Sequence, residues 1–258
     1  MIELNPTRYE SLLCKLTDVP INIWFARSVL AGHAHGKVFA DKEQEPSSIY
    51  ICNGCGITLL LGESGNDEFN DEMGRYLRTL DKVERIQPYP RSWDAFLQSL
   101  VDQGTARLST RVNFTFDEQV FAANNSTPDT NGILVRPGSV DIINSIDGSV
   151  VPQCFWKESL LHMCKSYVAI VDHEPAAVAF SAYLHSEHLE IGIETAEKHR
   201  GKGLATIVCA ALIRDCIEAG LTPVWSCRLD NTGSMNLAKR MGFVESARLP
   251  YYIVEPVK

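Results

Sequence analysis

The chain has no long apolar run. No segment approaches the roughly 20 apolar residues that a membrane-crossing helix needs, and no N-terminal stretch joins a basic start to an apolar core. A protein with no membrane partner, working in the cytoplasm, is therefore expected. Positive charge is not in surplus either: 24 Lys+Arg face 32 Asp+Glu, a formal net charge of -8. That balance argues against nucleic acid as a partner and suits a cationic acceptor better than an anionic one. Two common nucleotide motifs are missing. Lys202 precedes the second glycine of its loop with no Ser or Thr directly after it, so there is no G-x-x-x-x-G-K-[ST]. Gly201 and Gly203 are followed by Thr206, so there is no G-x-G-x-x-G. Cys52-Asn53-Gly54-Cys55 could form half of a zinc site, but two more ligands would be needed and no second C-x-x-C or spaced Cys/His pair appears, so a hairpin is favoured and no metal is expected. Asn53-Gly54 lies between the apolar-rich segments 48–51 and 57–61 and reads as a hairpin turn. The other six cysteines, Cys14, Cys154, Cys164, Cys209, Cys216 and Cys227, are scattered and read as reduced core residues.

What is present suits two compact domains. At 258 residues, 45% hydrophobic and 22% charged, the chain is an ordinary globular sequence long enough for two cores. Residues 7–16 and 21–30 read as helices broken at Asp18-Val19-Pro20. After the hairpin come a polar helix over 66–83, an interruption at Pro88 and Pro90, a helix over 92–101 and an alternating strand over 107–116. Residues 124–132, almost without apolar side chains, form the best linker, so the domains are drawn as 1–128 and 132–258. The second half continues with a strand at 133–135, helices at 139–146 and 155–163, and strands at 167–171 and 176–184 that turn through Asp172-His173-Glu174-Pro175.

The densest signal follows. Leu189, Ile191, Ile193 and Thr195 alternate with Glu190, Gly192 and Glu194, a strand period. Leu204, Ile207, Val208, Ala211, Leu212 and Ile217 recur at helical spacing and stop before Gly220. Between them lies Arg200-Gly201-Lys202-Gly203, a basic glycine turn toward which the helix points its unpaired N–H groups and positive dipole end. Such a place suits a diphosphate. Downstream, 224–227 reads as a buried strand and Asn231-Thr232-Gly233-Ser234 as a turn into a helix. That helix stops at Met241-Gly242-Phe243, and 251–254 forms a last strand.

The order strand, R-x-x-G-x-A, helix, strand, Asn, short helix, Gly-Phe, strand resembles the GNAT superfamily of acetyl-coenzyme A-dependent N-acetyltransferases over residues 132–254. Glu194-Thr195, residues 203–206, Trp225-Ser226-Cys227 and residues 237–243 resemble a two-domain bacterial branch that includes zwittermicin A self-resistance acetyltransferases. The resemblance implies an α/β (α+β) fold: a mixed twisted sheet flanked by helices, with an N-terminal α/β domain before it. That domain could be a degenerate copy of the same fold, although it has no glycine loop and the sequence shows no clear repeat. The implied co-substrate is acetyl-CoA. Backbone groups near Ile193 and Thr195 would hold its pantetheine arm as an added strand. Amides of Gly201, Lys202, Gly203, Leu204 and Ala205, with Arg200 and Thr206 beside them, would cradle its diphosphate, and Asn231 and Ser234 would contact its pantetheine end. A backbone amide on the Ile193 strand would polarise the thioester oxygen.

An attacking amine must be neutral, so a general base is useful, and Glu190 is the first candidate, with Glu194 the second. They share a strand face unless a bulge intervenes, and for each a solvent-facing role competes equally. For His185 and His188, at a hairpin turn, the surface reading is favoured. Trp156 and His162 are candidates for an acceptor pocket beside the N-terminal domain, with core packing or exposure the stronger reading for each. Many relatives place a tyrosine four residues before the Gly of Gly-Phe to protonate the thiolate, and here Ala238 stands there. Tyr251 and Tyr252 are the nearby phenols, more consistent with packing. The resulting expectation is direct acetyl transfer to a primary amine of a small molecule, an antibiotic or related metabolite. A peptide acceptor, a non-catalytic acyl-coenzyme A binder and a site for another nucleotide are the alternatives. No oligomeric state follows from the sequence.

Overall fold

The computed structural model describes residues 1–125, 133–148, 150–185 and 187–256. It contains two compact units: Met1–Arg111 with Arg248–Lys258, and Val112–Ala247. Each is an α/β unit, a mixed sheet with helices against it.

In the first unit, β1 (Ile2–Glu3) leads through 3-10 turns at Pro6–Arg8 and Glu10–Leu16 to α1 (Trp24–Leu30). Then come β2 (Gly36–Ala40), β3 (Ser48–Asn53), β4 (Ile57–Gly62), α2 (Asp67–Leu77), β5 (Glu84–Tyr89) and α3 (Asp94–Asp102). Strand β6 (Ala106–Phe116) carries the chain into the second unit. There α4 (Glu118–Asn124), β7 (Leu134–Pro137) and α5 (Val140–Asn144) are followed by 3-10 turns at Pro152–Cys154 and Glu158–Met163. The rest is β8 (Ser166–Val171), β9 (Glu174–His185), β10 (His188–Thr195), α6 (Leu204–Glu218), β11 (Thr222–Arg228), α7 (Thr232–Arg240) and β12 (Phe243–Val254).

The two units repeat one arrangement. In the first, β1, β2, β3 and β4 pair antiparallel in order, β5 adds parallel to β4, and the end of β12 adds antiparallel to β5. In the second, β7, β8, β9 and β10 pair antiparallel, β11 adds parallel to β10, and β6 lies beside β11. Each sheet is thus completed by a strand that the other half of the sequence supplies. The compact units therefore divide within β6 and β12, because contacts follow strand pairing. The expected linker at 124–132 is not that division; residues 126–132 of it lie outside the described residues.

Core packing follows the sequence periods. Leu204, Val208, Leu212 and Ile213 of α6 are buried with Leu189 and Ile191 of β10 and with Trp225 and Cys227 of β11. On the other face of that sheet, Val178, Phe180 and Ala182 of β9 pack with Ile146, Val151, Trp156 and Leu161. Strand β10 is therefore read out by parity: odd residues meet α6, and Glu190, Gly192 and Glu194 take the other face. Gly192 has to be glycine, because a Cβ would sit 2.3 Å from the Phe180 ring. Gly242 stops α7 at φ 82, and a Cβ there would meet Asp117 O at 2.6 Å.

Several local expectations are corrected. Residues 7–16 and 155–163 form 3-10 turns in place of α-helices, and α2 ends at Leu77, well short of 83. The stretch read as an interruption at Pro88 holds β5, with Pro88 opposite Leu60 of β4. Helix α4 forms where no element is expected and ends on Asn124, the first residue of the expected linker, and β12 begins at Phe243, eight residues earlier than expected. The Asn53-Gly54 hairpin between β3 and β4 forms, and all eight cysteines are free thiols. No helix among the described residues is long and apolar enough to cross a membrane.

Candidate active site

The centre of the second unit is the junction of β10 and α6. After Thr195 a short 3-10 turn, Glu197–His199, brings the chain to Arg200. Gly201 and Gly203 then adopt φ 78 and 77, the left-handed region that a residue with a Cβ resists. Gly203 is the N-cap of α6, so no side chain caps the helix, and its first turn carries no acidic residue. The first amides of α6 and its dipole therefore face the loop and favour an anion there. The matching loop of the first unit is built in the opposite sense. Asn66 caps α2 by accepting from Phe69 N–H at 3.0 Å, and Asp67 and Glu68 fill its first turn. That helix start has its amide engaged and repels phosphate.

Above the loop, β10 and β11 part. Their ladder pairs His188, Leu189 and Glu190 with Thr222, Pro223 and Val224 and then ends, while β9 stays paired to β10 as far as Thr195. In the first unit β4 and β5 remain paired over five residues, from Ile57–Arg85 to Leu61–Tyr89, and the corresponding gap is closed. A register shift does occur at Glu190/Ile191, where Tyr183 and Ser181 are the successive partners, so Ala182 of β9 is the extra residue. Strand β10 keeps its alternation through the bulge, and Glu190 and Glu194 share a face.

A cleft of about 610 Å³ lies over the loop and along β10 from Ile193 to Thr195, and neither Glu190 nor a residue of β11 is among those that line it. Ile193, Glu194 and Thr195 line it from β10, Arg200, Gly201 and Gly203 from the loop, and Leu204, Ala205 and Thr206 from α6. Asn231 and Ser234 complete it from α7. Asn231 caps α7 by accepting from Ser234 N–H at 3.1 Å, and Ser234 Oγ accepts from Trp225 Nε1 at 3.1 Å, so both side chains are held in place. Lys202 is the exception among the expected cofactor residues: it is exposed, with Nζ 3.3 Å from the buried His199 Nδ1, and it is not part of the lining.

The glutamates differ. Glu190 is half-buried where the ladder ends, and its Oε1 accepts from Ser226 Oγ at 3.1 Å. Glu194, 9% exposed, accepts from Val150 N–H at 3.0 Å and lies 3.5 Å from Arg200 Nη2. Trp156 is core, donating to Ser181 O at 2.6 Å, and His162 is exposed. His188 is half-buried at the start of β10, and the side chain of His185 lies outside what the structure describes. Ala238 is fully buried in the α6 core. Tyr251 and Tyr252 belong to the first unit, where Arg111 donates to the Tyr251 hydroxyl at 3.3 Å and Tyr252 donates to Asp94 at 3.3 Å. Burial and the Asp94 charge push the Tyr252 phenol up to about 12.

Sequence reading missed Val150, His199, Gly233, Asn236, Leu237 and Arg240, which also line the cleft. Gly233, Asn236, Leu237 and Arg240 recur at helical spacing from the Asn231 cap, a signal that was available. Arg240 Nη1 reaches Thr206 Oγ1 at 3.5 Å, which sets a second guanidinium beside the helix start. Val150 comes from a distant segment and carries no local signal.

A family model described as GNAT acetyltransferase matches residues 22–252. The chain belongs to that family. It is accordingly an acyltransferase of the N-acetyltransferase kind. Among similar proteins, the Bacillus subtilis (strain 168) uncharacterized N-acetyltransferase YdfB is 28% identical over 93% of this chain and 94% of its own length. The GCN5-related N-acetyltransferase-like protein of Streptococcus suis 89/1591 matches in structure with TM-score 0.69 at 19% identity, over 96% of this chain and 99% of that one. A tandem GNAT protein from the clavulanic acid biosynthesis pathway matches with TM-score 0.60 at 11% identity, over 98% and 96%. At these identities the two structures establish a shared GNAT fold.

Proposed function

We propose that the protein moves the acetyl group of acetyl-CoA to a primary amine of a small molecule, an antibiotic or related metabolite, by direct attack in a ternary complex. The observation that carries this reading is the cleft that joins the uncapped start of α6 to Ile193–Thr195 of β10, beyond the last pairing of β10 with β11. An anion-favouring loop at one end suits the coenzyme A diphosphate, with Arg200 and Arg240 beside it. The parted strand edge at the other end suits the pantetheine amides, which would pair with backbone groups of Ile193 and Thr195.

The chemistry follows from that placement. An alkylamine of lysine type has a pKa near ~10.4 and is mostly protonated at neutral pH. Glu190 takes the proton, directly or through water, and the nitrogen lone pair attacks the thioester carbon. Charge moves onto the carbonyl oxygen, where a backbone N–H of the Ile193 strand stabilises it. Collapse of the tetrahedral intermediate breaks the C–S bond and releases the thiolate, and the nitrogen gives its second proton to solvent to leave the neutral amide. With alanine at 238, solvent supplies the thiolate's proton, which a good leaving group tolerates. Holding both reactants together lowers the barrier by several kcal/mol, on the order of 7 in favourable cases.

The small-molecule acceptor rests on the residues that resemble the self-resistance branch and on the acidic balance of the chain. Eight free thiols suit a reducing, cytoplasmic setting. The test is calorimetric titration with acetyl-CoA, coenzyme A and ATP, followed by thiol release with spermidine, an aminoglycoside and a lysine peptide. Saturable binding of the first two ligands only, with amine-dependent thiol release, supports the reading. Binding without thiol release from any amine points to a non-catalytic acyl-coenzyme A binder, and ATP binding overturns the loop assignment.

A further inference from the structure

Glu194 is poorly placed to act as a base, because both of its oxygens are engaged. Oε2 accepts from Val150 N–H at 3.0 Å, and Oε1 accepts from Thr195 N–H at 3.2 Å and pairs with Arg200 Nη2 at 3.5 Å. The backbone of Gly148 closes against the same carboxylate: a Cβ there would lie 2.5 Å from Glu194 Cγ and 2.7 Å from Oε2. Only a residue without a side chain fits. Gly148 and Val150 belong to the stretch whose Ile146 and Val151 pack with Val178 and Phe180, over the sheet face that Glu190 shares. Val150 itself lines the cleft together with Glu194 and Arg200.

We infer that Glu194 is a positioning residue that ties the stretch at Gly148 and Val150 to the diphosphate loop through Arg200. Burial of the carboxylate at 9% exposure strengthens these bonds and makes each partner costly to lose. Arg200 is the movable part, since its side chain is 64% exposed and, among the described residues, its one further hydrogen bond is Nε donating to Thr195 O at 3.2 Å. A diphosphate on the loop draws the guanidinium toward itself, and Glu194 then concentrates its charge on Val150 N–H. Cofactor occupancy and order in the wall of the cleft are therefore linked, and linkage of this kind is reciprocal. The link, though not the tether, rests on reading the cleft as the acetyl-CoA seat.

The experiment is amide hydrogen exchange, followed by NMR on the full-length protein, with and without free coenzyme A. In the unliganded protein, Glu194→Ala and Gly148→Ala each speed exchange at Val150 about tenfold, the loss of roughly one buried hydrogen bond. Glu194→Gln keeps an acceptor for Val150 and stays within about threefold of the parent. Coenzyme A slows Val150 exchange in the parent and leaves Glu194→Gln unaffected, because a neutral amide gains no charge. Unchanged exchange at Val150 in Glu194→Ala overturns the tether, as does a rise spread evenly over the second unit. Equal protection of the parent and Glu194→Gln by coenzyme A means simple coverage and overturns the link. If calorimetry shows no coenzyme A binding to the parent, the reading of the cleft and the link fall together, and the unliganded exchange still decides the tether.

Discussion

Ser226 Oγ donates a hydrogen bond to Glu190 Oε1 at 3.1 Å, and it does so two residues beyond Val224, where the β10–β11 ladder ends. Trp225 and Cys227 on either side of Ser226 face the α6 core, so Ser226 faces the side of the sheet from which Glu190 projects. The bond spans the opening of the strands and fixes one carboxylate oxygen. Glu190→Gln is expected to lower the rate of thiol release at least ~100-fold, the lower end of what a general base contributes. Acetyl-CoA affinity by calorimetry should stay within about twofold. Ser226→Ala should cost less, about threefold to tenfold. Turnover of Glu190→Gln equal to that of the parent across the pH range would remove Glu190 from the base role.

Gly203→Ala isolates the backbone of the loop. A Cβ at this position meets nothing within 4 Å, so the whole penalty comes from φ 77. The left-handed conformation costs an L-residue about 1–2 kcal/mol. The loop relieves that strain by turning its amides away from the anion position, and acetyl-CoA affinity should fall about fivefold or more. Calorimetric titration checks this, and unaltered affinity would show that these amides do not contact the cofactor.

The first unit contains a buried carboxylate with a predictable pH signature. Glu84, 2% exposed, accepts from the hydroxyls of Tyr50 and Tyr76, the latter at 3.0 Å. Burial outweighs these hydrogen bonds and raises its pKa above the ordinary carboxylate value. The folded state therefore keeps the proton to higher pH than the unfolded state. Its stabilising share is complete below the unfolded pKa and is lost as pH rises through the raised folded value. The stability difference between the parent and Glu84→Gln should shrink as pH is raised from about 4 toward neutrality. Urea unfolding at a series of pH values measures it, and a difference that grows with pH contradicts it.

Ending the chain at Ala247 tests the exchanged strands. Residues Tyr252–Val254 pair with β5, and Tyr252 and Val254 are buried among Phe69, Trp93 and Leu97 of the first unit. Their loss uncovers one edge of that sheet and part of its core, which should cost several kcal/mol. The truncated protein is expected to show early proteolytic cleavage within residues 1–111, before cleavage within 112–247. Equal resistance of both units would contradict the exchange.

Much of the site was legible because it is local. The two-residue period of 189–195, the glycine turn and the apolar repeat of α6 are set by spacing along the chain, and the Asn231 cap by a side chain three residues from its amide. Arg240 was legible in principle, four residues beyond Asn236 on the same helix face. The Glu194 tether was not, because Gly148 and Val150 lie more than forty residues away (44 for the bonded pair) and nothing in their own spacing announces the contact. Strand β5 was missed for a different reason. Pro88 reads as a breaker, yet the strand pairs parallel to β4 despite it, since packing of Ile86 and the neighbouring β4 residues outweighs local preference.

The sequence by itself determined the elements around the loop, the hairpin at Asn53-Gly54 and the family resemblance, because dihedral preference and periodicity act between residues a few positions apart. Only the tertiary structure decided that both units share one order of elements, that β6 and β12 complete each other's sheets, and that β10 parts from β11 while β4 stays closed on β5. Those outcomes depend on which strands bury their faces together. That choice is made by packing between segments far apart in the chain, and no local period encodes it.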